Sequence, residues 1–274
     1  MGGKMPTPLV QIDAFADGPF RGNPAAVCLL DAPRDEAWMQ ALAEEMNLSE
    51  TAFLWPESEE LYRLRWFTPE VEVSLCGHAT LASAHALWES GRLALDQPAR
   101  FATRSGVLVA ARAGEWIELD FPERIPEPCE PPPGLAEALG ARPLVAARAG
   151  EDVLVELATE GAVRSLAPDF AELERVETRG LIVTAPAEEG SDYDFVSRFF
   201  APGVGVPEDP VTGSAHCALS PFWSGRLGRG ELIGFQASRR GGRVKVRHEP
   251  DRRRVRISGR AVTVFRGELS AAAD

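Results

Sequence analysis

The chain alternates between short apolar runs and longer segments in which apolar residues recur every three or four positions. The short runs are rich in valine, leucine and phenylalanine, and turn residues separate them, which predicts β-strands. Strands are expected at residues 9–15, 25–30, 51–54, 62–67, 107–111, 116–120, 153–157, 181–184 and 195–200. An apolar stripe at Trp38, Leu42 and Met46 has helical spacing. It predicts a helix over residues 35–46 that ends near Asn47.

An internal repeat divides the chain. Residues 65–73 (RWFTPEVEV) align with residues 198–206 (RFFAPGVGV), with five of nine positions identical. After each copy a glycine, Gly77 or Gly213, opens a run of small residues. Such runs predict helices that are buried on nearly all sides. Pro221 interrupts the second run, so we expect that helix to kink or to end early.

The repeat indicates two related domains of the α/β (α+β) class. We expect each domain to wrap a curled, mostly antiparallel or mixed sheet around one central helix, the first at residues 77–90. Six prolines between positions 122 and 133 predict a semi-rigid linker. The domains are therefore placed at 1–122 and 134–274, and we also consider that the last strand returns to the first domain.

The charge balance narrows the function. The chain carries 29 basic and 41 acidic residues, a formal net charge of −12, which argues against a nucleic-acid-binding protein. Residues 243–268 hold many arginines, but apolar residues alternate with them in two arms, as in a hairpin with one solvated face. Because neither a secretory leader nor a membrane-spanning apolar run is found, we expect a soluble, cytoplasmic protein without a membrane partner.

Several familiar chemistries lack their motifs in this sequence. The four cysteines show no CxxC spacing, so neither a disulfide framework nor a zinc site is predicted; they are Cys28, Cys76, Cys129 and Cys217. The dinucleotide fingerprint, the phosphate loop, the GxSxG elbow and the HExxH motif are also missing from the sequence. We therefore expect an enzyme that uses neither a cofactor nor a metal.

Four polar residues are candidates for chemistry. They are Glu50, which enters a predicted strand, His78 in the first small-residue run, Asp209 ahead of Pro210, and Ser214, the repeat counterpart of His78. Singly, each also fits a solvated loop, a turn or a helix cap. However, a helix that begins at glycine exposes unpaired backbone N–H groups, which favours a small carboxylate as the ligand.

Four motifs resemble the PhzF-like family of phenazine-biosynthesis-type isomerases. They are residues 11–27 (QIDAFADGPFRGNPAAV), 48–53 (LSETAF), 75–80 (LCGHAT) and 208–217 (EDPVTGSAHC). The resemblance implies the diaminopimelate epimerase fold and a homodimer. It also implies a cofactor-independent reaction similar to that of trans-2,3-dihydro-3-hydroxyanthranilate isomerase.

The resemblance also implies roles for individual residues. Glu50 would remove and return the proton, and His78, Asp209 and Ser214 would complete the catalytic site. The residues expected to bind the small carboxylate substrate are Ser49, Gly77, Thr212 and Gly213.

Two alternatives stay open at this point. Cys76 precedes Gly77 at the position where epimerases of this fold carry a catalytic thiol, so a thiol-based epimerase or dehydratase is one alternative. Thr212 takes the corresponding place in the second repeat and Cys217 lies beyond Gly213, which disfavours a racemase with two thiols. The second alternative is a ligand-binding protein without catalytic activity.

Overall fold

The computed structural model describes residues 7–270, which form two compact units. One unit comprises residues 7–120 and 259–270, and the other comprises Phe121–Ser258. In chain order, the first part of the chain contains β1 (Pro8–Ala14), β2 (Asn23–Leu29), α1 (Glu36–Met46), β3 (Glu50–Ser58), β4 (Leu61–Phe67), β5 (Glu72–Val73), α2 (Gly77–Glu89), β6 (Ala99–Thr103), β7 (Gly106–Ala113) and β8 (Trp116–Pro122).

The second part of the chain continues in the same style. Its elements are β9 (Glu127–Pro128), α3 (Leu135–Leu139), β10 (Val145–Ala149), β11 (Asp152–Glu156), α4 (Glu160–Arg164), α5 (Phe170–Leu173), β12 (Gly180–Pro186), β13 (Phe195–Phe200), α6 (Gly213–Leu227), β14 (Glu231–Gln236), β15 (Gly242–Glu249), β16 (Arg254–Gly259) and β17 (Ala261–Glu268). All nine strands predicted from the apolar runs are present. Their ends differ by up to four residues, since β3 extends from the predicted 51–54 to Ser58.

The two units repeat one pattern of strand pairing. The first has the order β17-β1-β2-β3-β4-β6-β7-β8, and the second has β9-β10-β11-β12-β13-β14-β15-β16. In each order the third and fourth strands, and the fifth and sixth, are parallel, whereas the other pairs are antiparallel. The long buried helix lies in the chain between the fifth and sixth strands of each order, as α2 or α6. This confirms the predicted fold class, a mixed sheet around a central helix in each of two related units.

The central helices are buried because their residues are small or apolar. Ten of the thirteen residues of α2 are buried, and the helix packs against β1, β2 and β3. Its Thr80 and Ser83 hydroxyls donate to backbone carbonyls one turn earlier, so they can be buried without loss of hydrogen bonds. Within residues 7–270, no helix is long and apolar enough to cross a membrane.

Of the two outcomes expected at Pro221, a kink or an early end of the second central helix, the early end is wrong. The helix α6 continues through Pro221 to Leu227. Proline has no backbone N–H, so the carbonyl of Cys217, one turn earlier, loses its helical donor. That carbonyl instead accepts a hydrogen bond of 3.0 Å from the backbone N–H of Arg124. A donor from outside the helix thus takes the place of the missing one.

The proline-rich segment predicted as a linker contributes a strand to the second unit. The strand β9 pairs with β10, with Pro128 opposite Ala147. Because β9 lies at the edge of that sheet, its proline needs no donor toward a further strand.

The arginine-rich C-terminal region contains three strands rather than the two predicted arms. The strand β16 pairs with β15, whereas β17 pairs with β1 of the first unit. The apolar side chains of β15 and β16 that alternate with the arginines are fully buried, as the hairpin pattern predicted. The charged face is paired: Arg243 lies 2.6 Å from Asp192, and Lys245 lies 2.8 Å from Glu231.

Candidate active site

Glu50 is placed by the end of one helix and the start of one strand. It is the first residue of β3 and lies opposite Ala25 of the parallel strand β2. Asn47 caps the end of α1 with a positive φ of 48°, and its backbone N–H donates to the carbonyl of Ala43. The chain therefore turns sharply just before the half-buried Ser49 and then enters β3. The predicted helix end at Asn47 is confirmed.

His78 contacts three polar side chains at the start of α2. Its Nε2 atom lies 3.2 Å from Oε2 of Glu50, and its Nδ1 atom lies 3.2 Å from Nδ2 of Asn23. The Sγ atom of Cys76, the residue before Gly77, lies 3.5 Å from the same Nδ1 atom. His78 and Cys76 are each 5% exposed, and the Glu50 side chain is 19% exposed. The structure thus brings two predicted catalytic residues and the alternative thiol into one cluster, and the Glu50 carboxylate keeps some access to solvent.

The burial of His78 decides its charge. Desolvation lowers the pKa of His78 to about 3, because the charged imidazolium is unfavourable away from water. The imidazole is therefore neutral near pH 7 and has one N–H group and one lone pair. An ionised carboxylate can only accept, so a neutral imidazole can bond to Glu50 only by donating from Nε2.

The same cluster is the one group of three potential metal ligands found in residues 7–270. The donor atoms of Glu50, Cys76 and His78 all lie within 4.8 Å of one another. The sequence showed no metal spacing here because Glu50 is distant along the chain.

The second unit places its predicted residues around the start of α6. Thr212 is the residue before the helix, and its hydroxyl donates to Oδ2 of Asp209 over 2.5 Å. Gly213 and Ser214 follow as the first two residues of the helix, and Ser214 is half-buried. Asp209, Thr212, Gly213 and Ser214 therefore form one local group at the start of α6.

Gln236 holds this group together, and the sequence argument missed it. It is the fully buried last residue of β14, and its Oε1 atom accepts the backbone N–H of Thr212 at 2.8 Å. Its Nε2 group donates to the backbone carbonyl of Asp209 at 2.8 Å and to the Thr212 hydroxyl at 3.1 Å. A lone glutamine at the end of a strand carries no signal of its own, because its partners lie more than twenty positions away.

Cys217 has no character of a reactive thiol. Burial raises the pKa of Cys217 to about 12, so the side chain stays protonated near neutral pH. Its Sγ atom lies 3.8 Å from the carbonyl oxygen of Gly213, where a protonated thiol can donate a weak hydrogen bond. These facts agree with the argument against a two-thiol racemase.

Comparisons of the sequence and of the structure with known proteins point to the same group of proteins. The sequence profile of the family described as phenazine biosynthesis-like protein matches residues 12–267. An uncharacterized isomerase of Halalkalibacterium halodurans is 52% identical over 97% of this chain and 99% of that protein. An uncharacterized isomerase of Pseudomonas aeruginosa is 51% identical over 95% of this chain and 98% of that protein. The crystal structure of a phenazine biosynthesis protein of the PhzF family from Enterococcus faecalis superposes with a TM-score of 0.92 at 42% identity, and covers 97% of this chain and 100% of that chain.

Proposed function

Because this chain belongs to the phenazine biosynthesis-like family, we propose that it is a cofactor-independent isomerase that moves a proton on a small carboxylate substrate. The proposed reaction is similar to that of trans-2,3-dihydro-3-hydroxyanthranilate isomerase. The two bacterial relatives named isomerases support the coarser statement, an isomerase-type enzyme.

The contact between Glu50 and His78 carries the proposal. A carboxylate that is 19% exposed can reach a small molecule, yet its Oε2 atom is buried beside the imidazole. The imidazole is neutral, so its Nε2 atom can face the carboxylate 3.2 Å away without adding a positive charge. A carboxylate in such a setting is suited to act as a general base and then as a general acid.

In the proposed reaction, one side chain, Glu50, both removes and returns the proton. The Glu50 carboxylate takes a proton from a substrate carbon, and the electron pair of that C–H bond moves into the conjugated system. The resulting carboxylic acid then returns the proton to a different carbon, which restores the carboxylate. Substrate and product have the same atoms, so neither an oxidant nor a reductant is required.

The remaining predicted residues are proposed to serve in binding and proton transfer. Asp209 and Ser214 are proposed, from the resemblance, as catalytic residues of the second unit. Gly77 and Gly213 are the first residues of their helices, where a backbone N–H group has no partner within the helix, which suits them to bind carboxylate oxygens. Ser49 and Thr212 are proposed as further binding residues.

One observation supports a second candidate, a thiol-based epimerase or dehydratase. The Sγ atom of Cys76 lies 3.5 Å from Nδ1 of His78 at the start of a helix. The positive end of a helix favours a thiolate, and an imidazole can receive the thiol proton. In this candidate Cys76, not Glu50, would remove a proton from an α-carbon.

The test compares variants in deuterated water without added cofactor. The protein is incubated with trans-2,3-dihydro-3-hydroxyanthranilate and a panel of amino and hydroxy acids, and NMR follows product and label. We expect Glu50→Gln to lose turnover by about 10²- to 10⁴-fold, because the amide cannot carry the proton. Cys76→Ala is expected to keep most activity. Glu45→Gln, which alters an exposed glutamate of α1, is the matched control and should behave like the wild type.

Each other outcome has a defined meaning. Exchange at an α-carbon that Cys76→Ala abolishes and Glu50→Gln spares would contradict the proposal and support the thiol candidate. Saturable binding of substrates without turnover would support a ligand-binding protein without catalytic activity.

A further inference from the structure

Asn23 is a buried polar residue to which the proposed reaction gives no role. It is the first residue of β2, it is fully buried, and its Nδ2 atom lies 3.2 Å from Nδ1 of His78. We propose that Asn23 is a positioning residue that fixes the tautomer of His78, so that Nε2–H faces Glu50. This inference rests on the proposed function of Glu50 as the proton carrier.

The backbone around Asn23 holds the amide in register with the site. Asn23 pairs with Ala14 of β1, and Ala25, two residues later on the same face, lies opposite Glu50 of β3. The preceding Gly22 has a positive φ of 65°, and a Cβ there would come 2.1 Å from the carbonyl oxygen of Ala14. A side chain at position 22 would therefore displace the turn that leads into Asn23.

The chemistry of the amide determines the tautomer. An amide nitrogen carries two hydrogens and accepts none, so the Nδ1 atom that faces it must present its lone pair. A neutral imidazole then carries its single hydrogen on Nε2, which lies 3.2 Å from the Glu50 carboxylate. Cys76 does not make this choice, because a thiol can donate to Nδ1 or accept from it.

The alternative tautomer would disable the carboxylate. It would place the Nε2 lone pair against a carboxylate oxygen, and two acceptors at hydrogen-bond distance repel each other unless a proton lies between them. Glu50 would then turn away or hold a proton in the resting state, and in either condition it could not take one from the substrate. Asn23 thus acts on the reaction through His78 without touching the reacting atoms.

The first test observes the tautomer itself. In protein labelled with ¹⁵N-histidine, long-range ¹H–¹⁵N NMR separates the Nε2–H form from the Nδ1–H form, and the spectrum of His78→Gln assigns the resonances. We expect the Nε2–H form in the wild type. An Nδ1–H form in the wild type would overturn the proposal, whatever the variants do.

The second test changes one atom of the amide. In Asn23→Asp the side chain can only accept, so His78 should carry hydrogen on Nδ1, and kcat should fall by about 10²- to 10⁴-fold with little change in KM. Asn23→Ala, which removes the donor, should give a mixture of tautomers and an intermediate loss. If Asn23→Asp keeps both the Nε2–H form and the wild-type kcat, Asn23 has no such role.

The two proposals fail in different ways. The tautomer is read without substrate, so it can be measured even if the enzyme turns over a different compound. If Glu50→Gln retains full turnover, the proposed function fails while the tautomer result stands. If Glu50→Gln is inactive and Asn23→Asp is unaffected, only the inference about Asn23 fails.

Discussion

At the scale of single residues, burial gives two histidines of this chain the same charge but different tasks. His78 meets a carboxylate, whereas the Nδ1–H group of His216 donates to the backbone carbonyl of Thr212 at 2.8 Å. Desolvation lowers the pKa of His78 to about 3 and of His216 to about 4. Both side chains are therefore neutral in the folded protein near pH 7. His216 stabilises the turn that begins α6 and stands apart from the proposed proton transfer.

The depressed pKa of His216 predicts how stability depends on pH. The unfolded chain binds a proton at this residue below the ordinary pKa of 6.5, and the folded chain does so only below about 4. The contribution of His216 to the free energy of unfolding is therefore fully present above pH 6.5. It falls as the pH drops from 6.5 toward about 4. We expect His216→Asn, whose amide can replace the Nδ1 donor, to weaken this acid sensitivity. Urea denaturation of the wild type and of His216→Asn at about pH 7.5 and about pH 5 measures this difference. If both proteins lose the same free energy of unfolding between the two pH values, His216 is not the source of the acid sensitivity.

At the scale of elements, α6 is fastened to its sheet by aromatic packing over a glycine. The ring of Phe195 on β13 stacks on Trp223 of α6 at 5.8 Å between centroids with an interplanar angle of 8°. The Trp223 indole also donates to the hydroxyl of Thr184 on β12 at 3.0 Å. Gly234 on β14 lies beside Phe195 in the parallel ladder, where the absence of a side chain leaves room for the ring.

A pair of glycine substitutions tests this packing. A Cβ at Gly234 would lie 2.5 Å from the Phe195 ring, so Gly234→Ala should displace the ring and cost about 1–3 kcal/mol of stability. Gly225 is exposed near the end of α6, and a Cβ there meets nothing within 4 Å. Gly225→Ala should therefore stabilise the helix by about 0.5–1 kcal/mol. Chemical denaturation gives both values, and a neutral Gly234→Ala would show that the ring relaxes freely.

At the scale of the whole molecule, the first strand in the sheet order of each unit comes from an unexpected part of the chain. In the first unit, β1 is covered by β17, which comes from the end of the chain. The second unit begins its sheet with β9, from the segment predicted as a linker. The first unit is therefore built from two segments of the chain, one before and one after the second unit. Homodimerisation, which the family resemblance implies, stays a prediction.

Removal of the last strand should therefore affect one unit more than the other. In a chain that stops after Ser258, β1 loses its pairing with β17 along seven residues, from Pro8 to Ala14. We expect backbone amides of β1 and β2 to lose hydrogen-exchange protection, whereas those of β12 and β13 retain it. Hydrogen exchange, measured by mass spectrometry on peptides from β1 and β2 and on peptides from β12 and β13, tests this expectation. Undiminished protection in β1 would mean that β17 contributes little to that unit.

Much of this architecture follows from the sequence by itself. The duplicated segments and the small-residue runs were enough to predict two related units, each with a buried helix at Gly77 or Gly213, because burial leaves a periodic trace in neighbouring positions. The end of α1 at Asn47 was also predictable, since asparagine tolerates the left-handed conformation that stops a helix. Glu50 and His78 could be named from their motifs, although their contact could not.

The tertiary structure decided everything that depends on strand register and on partners distant in the chain. The register of β2 against β3 brings Asn23 and Glu50 to the two nitrogens of the His78 imidazole, and the end of β14 brings Gln236 to the start of α6. The Arg124 donor that lets α6 pass Pro221, and the return of β17 to β1, are decided in the same way. A local pattern records only which face of an element is buried, whereas hydrogen bonds between distant residues depend on how the elements pair.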